Sequence, residues 1–504
     1  MAITQRAGRA SAPGKLPWYT KLAFGFGDSG MSATSTVIGL FFLYYLTDVV
    51  GVSPGLAGTV IFLGRFYDAV MDPLEGYITD HTYTRWGRRR PFFLFWAVPF
   101  GLSFFMMFAC PGWTHQGWLM AFASLAYILH MSAFTGIGVP YTALTAELTD
   151  DYDERTSLTA YRMAFSILVG LVAAVVPPLI VGAFPEAREG YRVMGAIFGA
   201  ATILPPLVVF FTCREPVRPR PVRPAADLAA DSARSGHARR ASRAGDTVRD
   251  LWREMLLTVQ NRPFRAAVLI YLFTWMAIDV LQVTFVYFLR YVMGMEAMSS
   301  IVFGLLFLTA ALCLPLWVWV SERWSKKVAY ATGIGSLALV LCGVAFLRPG
   351  MVTATYALAV LAGIGLSTAH VIPWSMIPDC IEFDELRTGR RREGQHYGFM
   401  TFAQKVASSG AIFATGLTLQ SVGYVAGAAQ SPGTLLAIRL LLGPIPAALL
   451  GLGLVTLVFY PVSRAGHAEV RAELAARKQA EVRAELAARK QAEAEAAPTR
   501  RNQR

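Results

Sequence analysis

Asp68 and Asp72 are the residues whose placement most needs a chemical reason. They lie four apart within IFLGRFYDAVMDPLEG (61–76), an apolar stretch that also carries Arg65 and Glu75. On a helix, positions four apart share a face, one turn from each other. A carboxylate in hydrocarbon costs roughly 2.5–3.5 kcal/mol on insertion scales, so such a group must face a wet cavity, a partner or a bound cation. Two neighbouring carboxylates also repel, which favours a shared proton or a metal cation between them. The pattern points to a cation site inside a membrane, sodium if not a proton, with both carboxylates as ligands. The alternative is a structural lock in which Arg65 and neighbouring helices neutralise the acids.

Further along, TGIGVPYTALT (135–145) combines two glycines and Pro140, which loosen a helix and free carbonyls, with the hydroxyls of Thr135, Thr142 and Thr145. Hard cations take oxygen ligands, so this segment can complete a site begun by Asp68 and Asp72; the alternative is a packing kink with threonines bonded to their own backbone. Arg162 lies within another apolar span. It is suited to bidentate contact with a hydroxyl pair or phosphate, or else to a salt bridge with a carboxylate of the same half. Asp279 and Gln282 fall in a later span and Lys405, beside Gln404, in one later still; Asp279 and Lys405 either pair or Lys405 faces a cavity. Asp379, Glu382, Asp384 and Glu385 precede Arg390, Arg391 and Arg392, an arrangement expected of a gate of salt bridges made and broken between states, or of a solvated charged loop. GFGDSG (25–30) formally matches GxGxxG. It does not sit between a strand and a helix, so dinucleotide binding is excluded, and its glycines are read as allowing close helix approach. Asp28 and Ser32, four apart, point into a cavity or place Asp28 at the interface.

The elements that must hold these residues follow from composition. The 504 residues are 55% hydrophobic and only 16% charged, against about 25% charged in soluble domains. Twelve apolar spans are expected, near 22–47, 54–79, 91–110, 117–146, 157–183, 191–213, 264–290, 299–321, 327–347, 351–378, 396–423 and 433–461, since about 20 residues cross a bilayer core. Lys and Arg collect at the N-terminus and in alternate connections, such as Arg85, Arg88, Arg89 and Arg90, while the connections near Gly51, Trp113 and Gly427 hold almost none. By the positive-inside rule both termini are cytoplasmic. The net charge of +13 is thereby a matter of topology, and nucleic acid is not an expected partner. The five cysteines form no CxxC pair, and neither a nucleotide loop, a metal cluster nor a nucleophile motif is present, which argues against an enzyme. No cleavable signal peptide is visible.

The resulting expectation is an all-α integral membrane protein. It comprises an N-terminal cytoplasmic tail (1–21), a six-helix bundle (22–213), a basic Pro- and Arg-rich cytoplasmic linker (214–262), a second six-helix bundle (263–461) and a cytoplasmic tail (462–504). The halves echo one another weakly: DHTYTRWGRRRP (80–91) and SERWSKK (321–327) follow equivalent spans. The tail carries a tandem repeat of AEVRAELAARKQ (468–479 and 480–491), expected to form a solvated or membrane-surface helix.

Taken together, GFG (25–27), YLTDVVG (45–51), RFYDAVMDP (65–73), RWGR (85–88), VPY (139–141), Tyr161-Arg162, the stretch 379–393 and Lys405 resemble the glycoside–pentoside–hexuronide:cation symporters of the major facilitator superfamily, the melibiose-permease-like family, over roughly residues 16–462. That resemblance implies a twelve-helix transporter working by cation-coupled alternating access in the cell membrane. It implies Asp68, Asp72 and Thr135 as cation ligands, Arg162 as a sugar-site or gating arginine, and Lys405 as the lysine near the cation. With Arg162 and Lys405, the positions Ser32, Thr142, Asp279 and Gln282 form the expected substrate region, and Arg65, Asp379, Glu382 and Arg391 the gating set. The chain departs from the family's best-known member at Gly138, where that protein has an aspartate shared by cation and sugar, at Ser32, where it has a sugar-binding aspartate, and at Thr142, where it has a pocket tryptophan. VPYTALT (139–145) and TAYRM (159–163) are also similar to sodium-dependent lysophospholipid symporters. The expected function is uptake of a sugar or glycoside driven by sodium or protons, with a lysophospholipid or other amphipathic solute as rival cargo and a non-transporting sensor as a third reading. No cofactor beyond the coupling ion, a small-molecule substrate, contact with membrane lipids and a monomeric state complete the expectation.

Overall fold

A computed structural model describes residues 16–80, 82–149, 151–214, 258–389 and 392–496. The N-terminal basic residues Arg6, Arg9 and Lys15, most of the linker, and the gating candidate Arg391 lie outside the described residues. Everything described is helical or connecting chain; the one β-type pairing among these residues is a bridge between Thr84 and Gly87 in the Arg-rich connection.

The helices are α1 (Trp18–Gly27), α2 (Ser29–Val37), α3 (Pro54–Asp80), α4 (Arg90–Phe108), α5 (Gln116–Leu148), α6 (Tyr152–Gly182) and α7 (Ala187–Thr212), then α8 (Arg262–Tyr287), α9 (Ser299–Arg323), α10 (Lys326–Val344), α11 (Val352–Thr388), α12 (Glu393–Ser421), α13 (Pro432–Leu442), α14 (Pro444–Val458) and α15 (Arg464–Ala496). Their boundaries follow local chemistry. Asp151 caps α6 by accepting from the Glu154 N–H at 2.9 Å, and Ser325 caps α10 through the Val328 N–H at 3.2 Å. Gly51, at φ 85°, turns the chain sharply between the end of the first span and Pro54, which opens α3.

Two expected spans are interrupted. The first breaks at Asp28, between α1 and α2, and then loosens into π-helical turns at Ile38–Phe42 and Tyr45–Val50. The last breaks at Gly443, between α13 and α14. Conversely, α5 runs continuously through Pro140. Among the described residues, nine helical stretches are long and apolar enough to cross a membrane. Neither α3 nor α12 is one of them, although they are 27 and 29 residues long. They fall short in apolarity, and they are the helices that bear Asp72 and Lys405.

The helices before residue 214 pack mainly on one another: α4 on α7 and α5, α3 on α5, and α1 and α2 on α6 and α7. Those after 258 do likewise, with α11 against α9 and α10, and α8 against α14 and α12. The two sets meet along α3–α12 and α6–α9, and where α8 passes the π turn at 38–42. The α3–α12 seam is closest near Gly58 and Gly416: a Cβ on Gly416 would stand 2.4 Å from the Pro54 carbonyl oxygen.

The tail is not a purely solvated helix. Val470 and Leu474, one turn apart in the first repeat, are buried where α15 packs on α11, whereas Leu486 of the second copy is 53% exposed.

A charged crossing of two helices as candidate functional site

On the face of α3 turned toward α5 and α12, Asp68 and Asp72 converge on one lysine. Lys405 Nζ, from α12, lies 2.7 Å from Asp68 Oδ2 and 2.6 Å from Asp72 Oδ2. Thr135 of α5 donates its hydroxyl to Asp68 Oδ1 and lies 3.3 Å from Asp72 Oδ1. Asp68 is buried, whereas the Asp72 side chain keeps 30% of its surface exposed, so Asp72 is the more accessible member. Pro73 follows directly inside the helix. It has no N–H to give to the Ala69 carbonyl, which leaves a further oxygen in the same turn without its helical donor. Three kinds of oxygen, from two carboxylates, a hydroxyl and a carbonyl, suit a hard cation. The ammonium group of Lys405 holds the place between the carboxylates that such a cation would take.

A second pair lies nearby. Arg65 Nη1 sits 3.3 Å from Asp279 Oδ1 of α8, while the buried Asp279 Oδ2 has no hydrogen-bond partner among the described residues. Asp279 therefore takes Arg65 and not Lys405, and Arg65 neutralises an acid of the other helix set and not its neighbours on α3. The geometric reason is that Lys405 is already held between two carboxylates.

Arg162 donates from Nε to Asp28 Oδ1 at 2.9 Å, and its guanidinium lies 5.2 Å from the centre of the Tyr141 ring. The same-half salt bridge is thus the one formed, with Asp28 at the break between α1 and α2. Ser32 donates to the Ser166 carbonyl at 2.6 Å, and the exposed Thr142 donates to its own Val139 carbonyl at 2.9 Å. Gln282 approaches the π turn of the first span, its Oε1 within 2.5 Å of where a Gly39 Cβ would be. Of the gating set, Asp379 accepts from Lys326 at 2.8 and 2.7 Å. Glu382 pairs with His467 of α15 at 2.7 Å. Asp379 and Glu382 therefore meet α10 and the tail, and Asp384 lies 3.7 Å from Arg387 of its own helix.

One cluster was not singled out by sequence reasoning. At the Gly51 end, Asp48 accepts hydroxyls from Thr47 at 2.7 Å, from Tyr424 at 2.6 Å and from Tyr291. Gln420 also accepts from the Gly55 N–H at 2.9 Å. Together these bonds tie the first span and the start of α3 to the ends of α8 and α12. At the opposite end, the pairs Arg89–Asp80, Arg89–Glu147, Lys21–Glu154 and Lys326–Asp379 each stay within one helix set. The signal for the Asp48 cluster was present as an acid beside YYLT followed by a glycine turn, but its partners are far away in sequence.

Residues 23–464 match the family model described as MFS/sugar transport protein. An uncharacterized symporter of Synechocystis sp. is 32% identical, covering 92% of this chain and 98% of its own. The sodium-dependent lysophosphatidylcholine symporter 1 of Gallus gallus is 27% identical over 90% of this chain and 88% of its own length. The crystal structure of a D-xylose-proton symporter superposes with a TM-score of 0.60, covering 88% of this chain and 97% of that one, at 15% identity, a likeness of fold alone.

Proposed function

The chain belongs to the MFS/sugar transport protein family, and on that premise we propose that it couples the entry of one cation species, sodium or proton, to uptake of a sugar or glycoside. It is a multi-pass membrane transporter and not an enzyme. In this reading the chain comprises twelve membrane-crossing helices in two six-helix halves, joined by the 214–262 linker, with both termini in the cytoplasm. It works as a monomer in the cell membrane, in contact with lipid. The Gly51 end then faces outward, and the bonds around Asp48 make this an outward-closed state.

The observation that carries the proposal is the sharing of Lys405 between Asp68 and Asp72 across the α3–α12 seam. A cation entering this site displaces the ammonium group, because two carboxylates cannot fully satisfy both. The bridge between the halves is then released, and the carboxylates stay neutralised by the ion. Rocking with neither lysine nor ion in place would bury an uncompensated pair of charges, a cost of several kcal/mol. Ion and cargo movement are thereby tied together, with Arg162 and the Arg65–Asp279 pair on the cargo side.

A second cargo class has an observation of its own. Between α6, α8 and α9 lies a cavity of about 680 Å³, lined by Phe41, Leu179, Tyr191, Val286 and Leu289 and carrying one carboxylate, Glu296. An apolar recess at the seam between halves suits the tail of a lysophospholipid. Reconstitution in proteoliposomes separates the readings. Glycosides and lysolipids are offered under a sodium gradient and, separately, a proton gradient. The proposal expects gradient-driven accumulation of one class, lost in Asp68→Asn and Asp72→Asn with membrane insertion retained. Wild-type rates in both variants would sink the mechanism.

A further inference from the structure

GFGDSG (25–30) has no nucleotide to bind, yet it is built around Asp28. The flanking glycines bring α1 against two helices at once. A Cβ on Gly25 would stand 2.9 Å from the Tyr161 backbone of α6, and one on Gly27 would stand 2.7 Å from the Tyr141 ring of α5. Any larger residue would push α1 away. The chain then leaves α1 at Asp28, which sits 5% exposed with its Oδ1 2.9 Å from Arg162 Nε. Tyr141 completes the seat. Its ring stacks on Phe24 at 4.7 Å, its hydroxyl donates to the Phe24 carbonyl, and the Arg162 guanidinium lies 5.2 Å over it. Arg162 is thus fixed at Nε and on one flat face. Its two terminal amino groups have no partner among the described residues, and the side chain keeps 27% of its surface open.

We propose that Asp28 is a specificity-determining residue: it holds Arg162 as a fork of N–H donors while cancelling its charge, so that the fork recognises neutral or zwitterionic cargo oxygens and turns away free anions. This rests on the reading of Arg162 as a cargo-binding residue. The physical basis is that an unpaired guanidinium in a low-dielectric cavity is a strong oxyanion trap. With a buried carboxylate already at hydrogen-bond distance, an incoming anion meets a neutral pair plus a repelling charge. The Nη hydrogens remain free to donate to a hydroxyl pair, which needs no net charge.

The test is made on the purified full-length protein and does not depend on knowing the cargo. Melting temperature is followed against inorganic phosphate, with chloride holding ionic strength constant. Wild type should show no saturable stabilisation in the low millimolar range. Asp28→Asn, which keeps the shape and removes the charge, should gain phosphate binding tighter than wild type by about tenfold or more. That gain should vanish in the Asp28→Asn/Arg162→Gln double variant, and Asp28→Glu should restore the wild-type response. Equal phosphate responses in wild type and Asp28→Asn overturn the proposal, as does a gain that survives loss of Arg162. A transport arm then compares a neutral glycoside with the matching hexuronate, and a zwitterionic lysolipid with an anionic one. The ratio of neutral to anionic uptake should fall in Asp28→Asn. Absence of gradient-driven uptake of every cargo by wild type would count against the transport proposal alone, since the phosphate titration stands independently.

Discussion

In the proposed cycle Lys405 competes with the cation that Asp68 and Asp72 are to hold. Its Nζ is within 2.7 Å of both Asp68 and Asp72, so ion binding must include the work of moving an ammonium group aside. Lys405→Gln removes that competitor while keeping a polar chain of similar length. The half-saturating concentration of the driving cation should fall about tenfold, equivalent to about 1.4 kcal/mol. Turnover should fall as well, because the empty carrier then returns with two unpaired carboxylates. Cation titration of uptake rates in proteoliposomes measures both, and an unchanged half-saturation point would contradict the competition. The carboxylate pair was legible in sequence because i, i+4 spacing in an apolar run has few meanings. Thr135 was reachable through its oxygen chemistry and through family resemblance. The lysine's actual partners were not legible, since Lys405 and Asp72 are 333 positions apart and no local period encodes that contact. The same holds for Arg65 with Asp279 and for Arg162 with Asp28, where the charges were visible but the choice of partner depends on how helices from distant parts of the chain are laid together.

At the scale of elements, α3 and α12 carry opposite demands. They must pack closely enough for Lys405 to reach across, and they must be polar enough to bear charge, which is why neither is among the nine described helical stretches long and apolar enough to cross a membrane. Close packing is met by Gly58 and Gly416. In Gly416→Ala the new methyl would have to displace the Pro54 backbone, 2.4 Å from it. Overpacking of this kind costs about 1–3 kcal/mol, so the detergent-solubilised variant should melt several degrees lower and its transport rate should drop. Hydrophobic runs marked nearly all of these helices before the structure did, because a bilayer forces length and apolarity on a segment whatever its neighbours. The breaks at Asp28 and Gly443, and the docking of the first tail repeat on α11, were not readable in this way. Each depends on a tertiary contact that rewards a local departure from the regular pattern.

For the whole molecule, the bonds to Asp48 join three parts of the chain: the end of the first span, the stretch just after α8, and the turn after α12. Asp48→Asn should loosen that closed end. With the native cysteines replaced and Phe413→Cys introduced on α12, a membrane-impermeant maleimide should label the protein several-fold faster in the Asp48→Asn background. Equal labelling rates would mean that the cluster does not hold the end shut. The seam also has a mechanical consequence. Gly58 and Asp68 are ten residues apart on α3, about 15 Å along the axis. If the tight glycine contact acts as a fulcrum, tilting one helix by about 10° carries the carboxylates away from Lys405 by roughly 2–3 Å, enough to sever hydrogen bonds of ordinary length. In the proposed cycle a small angular change at the glycines would thus become an all-or-nothing electrical event nearly three turns away, with the ion filling the gap at the moment it appears.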